Sequence, residues 1–119
     1  LMLLRGIDVP SDPVLGRTHY SVGLISGGVA PNVVSPAASA EVMFRTVSDG
    51  AAVLRAMAPL SVLVDVEPIM EVPPVRMVTL DGFDTAVFPF TTDIPFLDAW
   101  GKPLLFGPGS IHVAHTADE

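Results

Sequence analysis

The last thirteen residues, "GPGSIHVAHTADE" (107–119), hold two of the chain's three histidines and end on an acidic pair. His115, followed by Asp118 and Glu119, offers imidazole and carboxylate together, a donor set that suits zinc or a similar divalent metal. Without a metal the same residues read as a solvated histidine in a surface loop, and His112 carries no stronger signal. Two further side chains invite a ligand. Asn32, in "GGVAPNVVSP" (27–36), can either cap the turn after the Gly pair or hydrogen-bond a ligand through its amide. Arg45 sits mid-strand among apolar residues, where a half-buried guanidinium forks onto a carboxylate: Glu41 on the same face, or one carried by a substrate. Asp93, in "TTDIP", reads as a helix N-cap, and His19 as a surface side chain.

These residues must be held by elements that glycine and proline keep short. Residues 1–5 read as the tail of a helix, and "PSDPVLG" (10–16) as a turn-rich connection. In 18–28, Tyr20, Val22, Leu24 and Ser26 recur with a period of two, which predicts a strand with those residues on one face, ending at the Gly pair. The alternation in 39–47 is clearer, with Ala40, Val42, Phe44 and Thr46 on one side and Glu41, Met43 and Arg45 on the other. Ser48 or Asp49 can then cap a helix carrying Val53, Leu54, Met57 and Leu60 at helical spacing, which Pro59 ends. The β-branched run 61–72 predicts a third strand, at an edge or bulged because of Pro68. From Pro73 the pattern changes: 92–101 reads as a short helix and 102–107 as a buried strand of the parallel-sheet kind. This places a domain boundary near residues 72–75 and gives an α+β chain, a sheet with helices on one face followed by a short α/β segment.

Composition narrows the function. Half of the 119 residues are hydrophobic, so the chain is built to fold. Its apolar runs fall far short of the roughly 20 residues that span a bilayer. The absence of cysteine excludes disulfides and thiolate ligands and fits the cytoplasm. Thirteen acidic against six basic residues give a net charge of −7, with the basic residues scattered singly, which argues against nucleic acid as a partner.

Taken in order, the Gly pair followed by "APNVV", a strand ending in Arg45, then "TTDIPFL", "GKPLLFGPGSI" and "AHTADE" resemble the acetylornithine deacetylase branch of the di-zinc metallopeptidase and deacylase family. That family also contains succinyl-diaminopimelate desuccinylase, aminoacylase and a glutamate-releasing carboxypeptidase. The likeness runs from Gly16 onward and is most specific in "GPGSI" and "AHTADE". It implies that residues 1–72 are the later part of a split-βαβ, ferredoxin-like lid and dimerisation domain, and that 73–119 return into a catalytic domain. It further implies that Asn32 and Arg45 hold a substrate carboxylate, that Gly107 and Gly109 shape the loop beside the metals, and that His115 is a metal ligand. Two zinc ions, with cobalt as a substitute, a homodimer with residues 18–28 or 39–47 near its contact, and a small N-acyl amino acid as substrate follow from the same resemblance. The family's other ligands, its general-base glutamate and its lid histidine have no counterpart in these 119 residues. The chain is therefore expected to supply the orienting Asn and Arg and one ligand, but no catalytic residue. The competing expectation is a non-catalytic dimerisation or binding module that keeps the lid fold.

Overall fold

The computed structural model describes residues 1–107. A short 3-10 turn at Met2–Gly6 leads into a two-residue ribbon, β1 (Ser11–Asp12) against β2 (Gly16–Arg17), and then into the long hairpin of β3 (His19–Gly27) and β4 (Ala38–Arg45). Helix α1 (Gly50–Met57) follows, and 3-10 turns recur at Ala58–Leu60, Ile94–Phe96 and Asp98–Trp100. The ribbon turn is tied by Asp12, whose carboxylate accepts from the amides of Leu15 and Val14, both at 2.7 Å. These bonds to the charged form hold its pKa below the ordinary carboxylate value. What Asp12 contributes to stability is thus present above the ordinary carboxylate pKa and is lost as pH falls through the lowered one.

The hairpin and α1 form two layers. Alternation in β4 turns Val42 and Phe44 toward the helix, where Tyr20 and Val22 meet them from β3 with the Tyr20 and Phe44 rings 5.7 Å apart. Asp49 caps α1 by accepting from the Ala52 amide at 2.8 Å, and the helix ends where Pro59 enters. Its inward stripe, Val53 and Met57, closes on Leu4, Ile7 and Val9, and these five residues are the buried hydrophobic core among the described residues. Leu60 packs against this core from the following turn, whereas Leu54, expected on the inward stripe, is exposed.

Several expected elements take another form. The pairing of β3 with β4 shifts after Val22, so that Val22 faces Val42 while Leu24 faces Glu41, leaving Gly23 as an extra, bulged residue. A one-residue slip reverses the faces. Leu24 and Ser26 therefore lie on the outer side of the sheet, away from Tyr20 and Val22, and the Ser26 hydroxyl meets that of Ser39 at 2.8 Å. The run 61–72 forms no strand. It opens in turns that leave Val62 exposed and continues without regular structure, with Ile69 and Met70 exposed and no strand partner among the described residues. One side chain from this run does reach back: the Glu71 carboxylate accepts from the Gly50 amide at 2.7 Å. Residues 92–101 make two 3-10 turns in place of a helix, since Leu97 leaves helical geometry (φ −115°, ψ 38°). The first of these turns is capped by the Thr92 hydroxyl, which accepts from the Ile94 amide at 3.3 Å; the Asp93 side chain makes no cap bond. The stretch 102–107 is largely exposed and joins no sheet, with one backbone bond from the Val78 amide to the Pro103 carbonyl at 2.8 Å and the Phe83 and Phe106 rings edge to face. A buried parallel strand needs neighbours on both sides and cover on both faces, and no described segment supplies them. The radius of gyration, 18.3 Å, exceeds the roughly 13–14 Å of a compact chain this long, because residues beyond α1 add length and little core.

Gly27 is the tightest point of the hairpin. At φ +146° with the Ala37 carbonyl oxygen 2.8 Å from where a Cβ would stand, it has neither the conformation nor the space for a side chain. Gly27→Ala is expected to cost about 1–3 kcal/mol, read as a lower urea midpoint at unchanged slope. Gly28→Ala, in open space at φ +89°, should cost less. Equal losses at the two positions would mean that the contact with residue 37 is not what constrains the loop.

Candidate functional site

The outer face of the hairpin, opposite the helix, carries the residues of chemical interest. Arg45 lies at the end of β4 on this face and is directly paired with His19 of β3; both side chains are exposed. The Arg45 Nη1 donates to the Pro89 carbonyl at 2.6 Å, which brings the 88–90 stretch against the end of the strand. Glu41 occupies the same face but makes no ion pair with Arg45; among the described residues the ion pair is Arg55 with Asp49, at 4.0 Å. A guanidinium has five N–H donors in a planar fork, so one bond to a carbonyl leaves an edge able to take a carboxylate.

Asn32 is at the other end of the hairpin. It sits in a β-turn closed by the Val33 amide on the Ala30 carbonyl at 3.1 Å, within a loop that Ser35 organises by accepting from the Gly28 amide at 2.9 Å and donating to the Ala37 carbonyl. The Asn32 amide makes no hydrogen bond to another described residue, so turn capping is not its role there. From Ala38 to Arg45 is seven steps of strand, about 23 Å at roughly 3.3 Å per residue. The fold therefore does not bring Asn32 and Arg45 of one chain onto a single small carboxylate.

Gly107 is exposed at the end of the described chain, and Gly109, His112 and His115 lie outside the described residues. Among the described residues no group of three or more histidine, aspartate or glutamate side chains could hold a metal ion. Sequence reading passed over His19 as a neighbour of Arg45. The two are 26 positions apart, and the only signal for their meeting is the register on the strand side of the Gly23 bulge.

The open face of the hairpin thus presents the Arg45 guanidinium, and the connecting loop presents Asn32. Similarity to known proteins gives a frame for these two residues. A peptidase M20 domain-containing protein of Schizosaccharomyces pombe is 37% identical over 123 residues, which covers 98% of this chain and 30% of that protein. Proteins named "probable carboxypeptidase" from Ajellomyces capsulatus and Paracoccidioides lutzii are 36% and 34% identical over 129 residues, covering 93% of this chain and 30% and 29% of theirs. The similarity supports the M20 peptidase family for this chain. The chain spans about three-tenths of the length of these relatives. No family model and no solved structure matches it. No helix among the described residues is long and apolar enough to cross a membrane.

Proposed function

We propose that this chain is part of an M20-type hydrolase that cleaves an amide whose amine side carries a free carboxylate, and that its hairpin is the substrate-orienting lid of a split-βαβ domain. The observation that carries the proposal is Arg45: a strand-end guanidinium on the open face, not paired with Glu41, with one donor fixed to the Pro89 carbonyl and the rest of its fork turned to no described acid. A carboxypeptidase and an N-acyl-amino-acid deacetylase present the same group here, because the C-terminal residue of a peptide is itself an N-acyl amino acid. Acetylornithine-type deacetylation is the finer reading. In the whole protein a divalent metal pair, zinc with cobalt as a substitute, would supply a polarised carbonyl and an activated water. Of its ligands this chain would supply His115, and Gly107 and Gly109 would shape the loop beside the metals. The residues of the hairpin bind and orient; they move no proton.

The separation of Asn32 and Arg45 gives the homodimer a role. If both contact one substrate, the amide comes from the partner subunit's Asn32. The test uses the full-length protein and its N-acyl amino acid and dipeptide substrates. Arg45→Ala and Asn32→Ala proteins, each poorly active, are unfolded together and refolded as a mixture. A symmetric dimer with shared sites should recover about a quarter of wild-type activity, since half the dimers are mixed and each has one intact site. Recovery no greater than the average of the two variants would place both residues in one chain's site and remove this role for the dimer. Loss of activity in neither single variant would remove the carboxylate-binding reading itself.

A further inference from the structure

Six basic residues scattered singly along an acidic chain would each be expected to find a carboxylate. The fold instead gathers two of them with a histidine. Arg5, in the last turn of Met2–Gly6, Arg17, in β2, and His19, at the start of β3, line one concavity of about 370 Å³ at the ribbon end of the hairpin. Its floor is Leu4, Ile7 and Val9, all buried, with Tyr20 beside them. Neither guanidinium has an ion-pair partner among the described residues. The acidic groups nearby form no ion pair with them among the described residues. Asp12, on β1, keeps its negative charge, but its carboxylate is bonded to the Val14 and Leu15 amides and not to either guanidinium. Asp8 lines the separate groove toward α1, and Arg45, the cross-strand partner of His19, adds positive charge. Glu41 lies further along the outer face, opposite Leu24. All three side chains are exposed at the rim of the concavity, where the two guanidiniums can share one bound anion.

We propose that Arg5, Arg17 and His19 form a binding site for a small oxyanion, a carboxylate, sulfate or phosphate group, distinct from the Arg45 contact to substrate. The two guanidiniums provide planar forks, and the imidazole adds a further N–H donor. At matched ionic strength the site favours an oxyanion, which can take two forked N–H bonds, over chloride, which cannot.

The test is a sulfate titration of the 119-residue chain, followed by NMR at the His19 ring, with chloride at matched ionic strength as the reference. The His19 resonance is identified by its loss in His19→Gln. Saturable shifts in sulfate and not in chloride are expected, and they should be weaker in His19→Gln when backbone amides of residues 5 and 17 are followed. Arg5→Gln and Arg17→Gln should each weaken binding about five-fold, whereas Arg55→Gln, outside the concavity, should not. Acetate and inorganic phosphate in the same titration separate carboxyl from phosphoryl ligands, the tighter response naming the class. Identical responses to sulfate and chloride, or a sulfate response untouched by both arginine variants, would overturn the site. Circular dichroism of each variant confirms that a lost response is not a lost fold, and Arg17→Lys, which keeps the charge, should retain part of the affinity.

Discussion

If Arg45 grips the substrate carboxylate as proposed, Arg45→Lys in the whole protein is expected to lower kcat/KM by about 30- to 1,000-fold, equivalent to roughly 2–4 kcal/mol of transition-state stabilisation. Lysine keeps the positive charge and can still donate to the Pro89 carbonyl, which Arg45 meets at 2.6 Å. It cannot present two parallel N–H groups to a carboxylate. Because that carboxylate is bonded to the carbon bearing the scissile nitrogen, a loosened grip misplaces the amide, and small displacements of this kind are costly in rate. Folding should hardly change, since Arg45 is exposed and the stem can lie along the strand. Glu41→Gln is the control. With no Arg45–Glu41 ion pair in the structure it should leave both stability and turnover near normal, as surface pairs contribute only about 0–1 kcal/mol even when formed. Steady-state kinetics of the two variants side by side decide the matter. Near-normal turnover in Arg45→Lys would reduce the residue to a tether for the 88–90 stretch.

Leu4→Ala should unfold a large fraction of the protein. Leu4 is 5% exposed and belongs to a core of five buried residues, so its removal leaves a cavity that few neighbours can fill. Truncations of this type cost about 2–5 kcal/mol, against a total of about 5–15 kcal/mol for a typical domain. Here the loss is larger in proportion, since Leu4 is what binds the N-terminal turn to α1 and the hairpin. Leu3→Ala, one residue away and 57% exposed, should shift stability by no more than about 0.5 kcal/mol. Urea unfolding followed by far-ultraviolet circular dichroism is the measurement, because the single tryptophan, Trp100, is 83% exposed and far in sequence from the core. Equal effects at the two positions would mean that the Met2–Gly6 turn is an appendage and not part of the folded layer.

Within a few residues' reach, the sequence was legible. Alternation in 38–45 is enough to assign β4 and its faces, because period-two patterning needs no knowledge of the rest of the chain. The Asp49 cap, the stop at Pro59 and the turn at the Gly pair follow from the chemistry of single side chains and of glycine at positive φ. The same alternation misled at Leu24, since a bulged glycine reverses every face beyond it and nothing in "VGLIS" announces which strand will carry the extra residue.

The third strand failed for a related reason. The valines of 61–66 have the extended preference of a strand, but preference makes a strand only where an edge is in place to receive it. Arg5, Arg17 and His19 likewise looked scattered along the chain, and only the pairing of short strands brought them around one concavity. Sequence alone determined the local conformations, the acidic balance and the likeness to M20 peptidases, all set by side chains acting on their near neighbours. The tertiary structure decided which strands found partners, which end of the hairpin holds Arg45 and which holds Asn32, and which cations meet. Those outcomes depend on closing loops against chain entropy, and whether closure succeeds is set by the whole set of contacts it makes possible.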